Sequence, residues 1–93
     1  MGFAKRVDRN HGEIVAALRQ SGWFVVNLYL VGQGAPDILA LKAGRCVLIE
    51  VKDGDKPPSG RRLTGLQEVF HAQCAAAGYP VTVVMSAEEA VRL

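Results

Sequence analysis

Three residues of this chain have types and spacing suited to joint chemistry: Asp37, Glu50 and Lys52. They flank two apolar runs separated by Ala43-Gly44, a pattern that reads as a β-hairpin with a short turn. With the turn centred on Ala43 and Gly44, Lys42 faces Arg45, and counting back along both strands places Asp37 directly opposite Glu50. Residues opposite one another in an antiparallel pair share one face, with Cβ atoms ~5 Å apart. Lys52, two residues beyond Glu50, points to that same face. Two carboxylates so placed repel and destabilise a hairpin. A divalent cation offsets this, because magnesium takes one or two carboxylates, keeps several waters and reverses the local electrostatic penalty. Lys52 is then placed to orient water or to stabilise charge on a phosphate. In outline this is a hydrolytic phosphodiester site.

The elements that must position these groups follow from the rest of the sequence. Met1 to Arg9 reads as a poorly ordered basic arm. Asn10 at N-cap with Glu13 at N3 fits a capping box, opening a helix with an apolar stripe of Ile14, Ala17 and Leu18 and an end at Gly22. Glu13 also suits the positive end of that helix dipole. Trp23 to Leu30 is expected as a strand apolar on both sides and hence buried on both faces. Val31 to Pro36 is a loop whose glycines allow unusual backbone angles and close approach of a phosphate. No P-loop lysine follows, so no nucleotide cofactor is expected. Pro36 suits a strand start, where it need not donate to the ladder.

Asp53 to Arg62 is a polar loop, stiffened and turned by Pro57-Pro58 and Gly60. Thr64-Gly65-Leu66-Gln67 is a second capping box, opening a helix through Ala77 with Gly78 placed to end it. Its inner stripe is expected to be Leu66, Val69, Phe70, Gln73 and Cys74, with His71 toward solvent. Neither His71 nor His11 has partners at zinc spacing, so neither is read as a metal ligand. Val81 to Met85 is a short strand, and Ser86-Ala87-Glu88-Glu89 is a third capping box that starts a final helix. The order is α-β-β-β-α-β-α, an α/β chain with a small mixed β-sheet and flanking helices. The first three strands form an antiparallel meander, and the crossover to the fourth is right-handed if those strands run parallel.

At 93 residues the chain supports one domain with a small core. Its hydrophobic share of 49% and charged share of 22% indicate a folded globular chain. No apolar run approaches the ~20 residues of a membrane span, and no signal peptide is apparent behind Lys5 and Arg6. Cys46 and Cys74 lack metal-ligand spacing and are expected as buried thiols in a reducing cytoplasm. A net charge of +2 says little about nucleic acid. Lys5, Arg6 and Arg9 do gather at the start, and Lys56, Arg61 and Arg62 flank the loop after the hairpin, where such clusters can contact phosphates.

Pro36-Asp37 followed by Glu50-Val51-Lys52 resembles the PD-(D/E)XK nuclease superfamily. Gly34-Ala35 before the first acid, Asp53-Gly54 after the lysine, and Leu63-Thr64 with Gln67 further on resemble its VRR-NUC branch, particularly the small stand-alone phage-type members. The likeness covers nearly all of the chain. It implies a single VRR-NUC-like domain over 1–93 with a restriction-endonuclease-like fold. It also implies a magnesium- or manganese-dependent deoxyribonuclease in which Asp37, Glu50 and the Val51 carbonyl hold the ion and Glu13 binds it directly or through water. Lys52 would position the nucleophile or stabilise the transition state, and Gln67, besides capping its helix, would steady the attacking water or Lys52. The implied partner is branched DNA, four-way (Holliday) junctions especially, cut by a homodimer in the cytoplasm, or in the host cytoplasm if the chain is phage-encoded. Two other readings stay open: a flap- or nick-directed nuclease that needs a partner, and a non-catalytic nucleic-acid-binding module that keeps the fold.

Overall fold

The computed structural model describes residues 8–93. Lys5, Arg6 and the first seven residues of the expected basic arm lie outside the described residues. The elements are α1 (His11–Gln20), β1 (Phe24–Asn27), β2 (Ile38–Lys42), β3 (Arg45–Val51), α2 (Gly65–Ala76), β4 (Val81–Val84) and α3 (Ala87–Val91), with a 3-10 turn at Pro58–Arg61 before α2. The sheet order is β1-β2-β3-β4. The first two pairings are antiparallel and β3 with β4 is parallel, so the sheet is mixed as the sequence order requires. Among the described residues no helix is long and apolar enough to cross a membrane.

The hairpin turn sets the register. Ala43 (φ 50) and Gly44 (φ 78) both have positive φ, which is the two-residue turn whose twist matches that of the flanking strands. Lys42 therefore pairs with Arg45, and the ladder runs back to Ile38 opposite Ile49. Both turn-flanking cations lie over the Trp23 ring, Lys42 Nζ at 5.7 Å and Arg45 at 5.1 Å from its centroid. Lys42 Nζ also donates to Ser21 O at 2.6 Å, tying the turn to the end of α1.

Strand alternation divides the sheet into two faces. Val25, Ile38, Ala40, Ile49, Val51 and Val84 point to one face and form the core with Ile14, Val15 and Leu18 of α1, Trp23, and Ala90 of α3. Each fully buried Ile, Leu or Val side chain here stabilises the fold by ~1.5–3 kcal/mol. The alternate residues, Glu50 among them, point to the opposite face, where α2 meets the sheet.

Four local expectations need correction. β1 is four residues long and forms a sheet edge; Phe24 is 65% exposed, and Leu30 and Val31 lie outside the strand at 65% and 60%. Trp23 to Leu30 is thus not a strand buried on both faces. Asn10 makes no side-chain cap on α1; its amide donates to Lys52 O at 3.1 Å and Met85 O at 2.8 Å, fastening the start of α1 to the ends of β3 and β4. In α2 the side chains withdrawn from solvent are Gln67, Phe70, His71 and Cys74, while Leu66 and Val69 are 62% and 59% exposed. The helix is rotated so that polar groups meet the buried carboxylate beneath it. Cys46 is exposed, not buried.

Candidate active site

β2 keeps its regular ladder only as far as Ile38, and the chain bends at Asp37. There the Asp37 N–H donates to Ile49 O at 3.0 Å, and the Asp37 Oδ2 accepts the Val51 N–H at 2.8 Å. A carboxylate oxygen thus takes a donor of β3 that continued β-pairing would have satisfied with a backbone carbonyl. Pro36 in front has no N–H to extend the ladder. Asp37 meets the Glu50-Val51-Lys52 segment through its side chain, which is a different route from the face-to-face pairing expected of it. Asp37, Glu50 and Lys52 are 5%, 1% and 9% exposed.

Helix α2 supplies the rest. Thr64 caps it with a complete capping box: the Gln67 N–H donates to Thr64 Oγ1 at 3.2 Å, and the Thr64 N–H donates to Gln67 Oε1 at 2.9 Å. That same Oε1 accepts from Lys52 Nζ at 3.0 Å. With its oxygen taken by two donors, the Gln67 amide has its orientation fixed, and Nε2 donates to Glu50 Oε2 at 3.2 Å. The capping and site roles expected of Gln67 coexist in one side chain. The approach depends on Gly34, whose φ is +82 and whose added Cβ would sit 2.3 Å from Leu66 O and 2.8 Å from Gln67 N. Close packing at this glycine is against the start of α2, where the sequence suggested room for a phosphate.

The sequence placed His71 toward solvent; in the structure its Nε2 lies 3.1 Å from Glu50 Oε1, with the side chain 13% exposed. Burial, then the Lys52 charge, lower its pKa from the ordinary value, with Asp37 opposing. Its signal in the sequence was spacing: four residues after Gln67, it shares that residue's helix face.

Other candidate residues lie elsewhere. Glu13 is exposed and lines a depression with Arg9, Asn10, Asp53, Asp55 and Glu88. The buried face of α1 is His11, Ile14, Val15 and Leu18, so position 13 is turned away from the core. Glu13 is not brought into the hydrogen-bonded group around Glu50. Arg9 pairs with Asp53 at 3.5 Å and with Asp55. The Asp55 N–H, and after it Arg9, hold the Asp53 carboxyl below its usual range against the cost of burial. Lys56 pairs with Asp8 at 3.3 Å, Arg61 reaches Met85 Sδ at 3.6 Å, and Arg62 is exposed. His11 is buried, with Nε2 2.9 Å from Asn27 Oδ1 and its ring edge-on to Tyr29.

Among the described residues no group of three or more His, Cys, Asp and Glu side chains is arranged to hold a metal ion. The donor set at Asp37 and Glu50 nevertheless fits a hard cation of the magnesium type, which uses oxygen donors and needs only one or two carboxylates. It does not fit a structural zinc site, which closes four protein ligands around the ion. No family model, no curated protein and no solved structure matches this chain.

Proposed function

We propose that this chain is a metal-dependent endonuclease that hydrolyses DNA phosphodiester bonds, selectively on branched DNA such as four-way junctions, and works as a cytoplasmic homodimer. The observation that carries the reading is the gathering of Asp37, Glu50, Lys52 and Gln67 at the ends of β2 and β3 beneath α2. Magnesium or manganese, held by Asp37 and Glu50 with the Val51 carbonyl as a further donor, would supply Lewis-acid activation of water and charge neutralisation at the phosphate. Lys52, its ammonium oriented by Gln67 Oε1, stabilises negative charge as it develops on the phosphate. The Val51 N–H fixes Asp37, and Gln67 fixes Glu50. Each group is held before substrate arrives, which reduces reorganisation during the reaction. Exposed Arg62, with Arg9 and Lys56 released from their carboxylate partners, supplies phosphate contacts. No base-reading motif is apparent, which favours recognition of DNA shape.

A labelled panel of linear, flapped and four-way-junction DNA tests this. Cleavage is expected with magnesium or manganese, strongest on the junction, and lost with chelator or in Asp37→Ala. Lys52→Ala should abolish turnover while largely preserving DNA binding. Cutting that survives chelation, or is untouched by Asp37→Ala, would refute the assigned chemistry. Site-independent binding without cleavage in either metal would favour the non-catalytic module.

A further inference from the structure

Resting on the metal-site reading above, we propose that His71 is a positioning residue that, together with Gln67, holds both oxygens of Glu50 from one helix face. Gln67 and His71 are one helical turn apart, so their side chains leave α2 in the same direction. The Gln67 amide reaches Oε2 at 3.2 Å and the His71 ring reaches Oε1 at 3.1 Å. A carboxylate gripped at one oxygen can still swing about its terminal torsion, which is broad. Gripped at both, it has one orientation. Glu50 is 1% exposed, so solvent contributes little to that orientation.

The hydrogen-bond chemistry assigns the proton. An ionised carboxylate only accepts, so His71 must donate through Nε2–H, leaving Nδ1 as the unprotonated nitrogen of the neutral ring. Outer partners that orient metal-binding carboxylates typically alter metal affinity by ~10–100-fold when removed. His71 therefore acts through Glu50, without touching substrate. Glutamine can preserve an N–H donor at this position; leucine preserves bulk without one.

Two measurements on the full chain test the assignment. Nitrogen NMR of the metal-free wild type is expected to show His71 protonated on Nε2, with its resonance moving in Glu50→Gln. A neutral ring protonated on Nδ1, or one indifferent to Glu50→Gln, overturns the proposal whether or not metal binds. Calorimetric titration with manganese is expected to show affinity weakened ~10–100-fold in His71→Leu and largely restored in His71→Gln. Asp37→Asn should remove the binding. Wild-type affinity in folded His71→Leu, with loss in Asp37→Asn, overturns the His71 role and leaves the nuclease reading standing. No Asp37-dependent manganese binding in wild type refutes the metal site, and the titration then overturns the proposed effect of His71 on metal affinity; the NMR result still reports separately on the contact with Glu50. If His71→Leu fails to fold, His71→Gln decides the affinity arm: a loss as large as that in Asp37→Asn overturns the donor assignment.

Discussion

A carboxylate with the burial of Glu50 costs several kcal/mol to keep charged unless donors replace its lost water. Gln67 is one such donor and also caps α2, so Gln67→Ala removes two kinds of support together. The expected loss is about 2–4 kcal/mol in urea denaturation, combining a hydrogen bond to a charged group with a helix cap. A loss below ~0.5 kcal/mol, within the range of an ordinary surface substitution, would contradict this network. His71 gives the site a pH signature. Its pKa is lowered in the folded chain, so below the ordinary value near 6.5 the unfolded chain binds more protons at this ring. The associated stability is fully present above about pH 6.5 and is lost as pH falls toward the folded value. In the presence of chelator, wild type should lose melting temperature between about pH 7 and pH 5 more steeply than His71→Gln. Parallel slopes would contradict the burial of this ring beside Lys52.

At the scale of elements, the hairpin turn and the Gly34 contact carry the geometry. Ala43 occupies a left-handed position at φ 50, where asparagine or glycine is favoured. Ala43→Asn should stabilise the fold by about 0.5–1 kcal/mol without changing the site; destabilisation in chemical denaturation would count against the turn assignment. Gly34→Ala combines positive φ with backbone overlap at Leu66, and should cost on the order of 2 kcal/mol or more. Because it displaces the start of α2, it should also weaken manganese binding. The register was readable in the sequence because a two-residue turn allows one pairing of its flanks, Lys42 with Arg45. The bend at Asp37 was not readable, since strand counting assumes that the ladder continues. The rotation of α2 was hidden for a different reason: Leu66 and Val69 are more apolar than Gln67 and His71, and apolar periodicity points to them. Their exchange becomes intelligible only with Glu50 beneath the helix.

For the whole molecule, one face of the sheet is covered by α1 and α3, and the other carries the candidate site under α2. On that second face Phe24 pairs with Leu41 and Leu41 with Cys46, leaving exposed apolar surface away from α2. Such surface is where the proposed homodimer would make its contact, since contiguous apolar exposure marks contact sites, and a two-fold assembly would match the paired strands of the proposed junction substrate. Sedimentation should give a two-chain mass that Phe24→Asp reduces to one; a monomer with full junction cleavage would reject the dimer. The chemistry itself is tested most directly by the cleavage rate of an end-labelled four-way junction as manganese is raised, with wild type beside Glu50→Gln. A saturable, chelator-reversible rise is expected for wild type and none for Glu50→Gln. Equal cleavage by both proteins, or a wild-type rate indifferent to the metal, would contradict it.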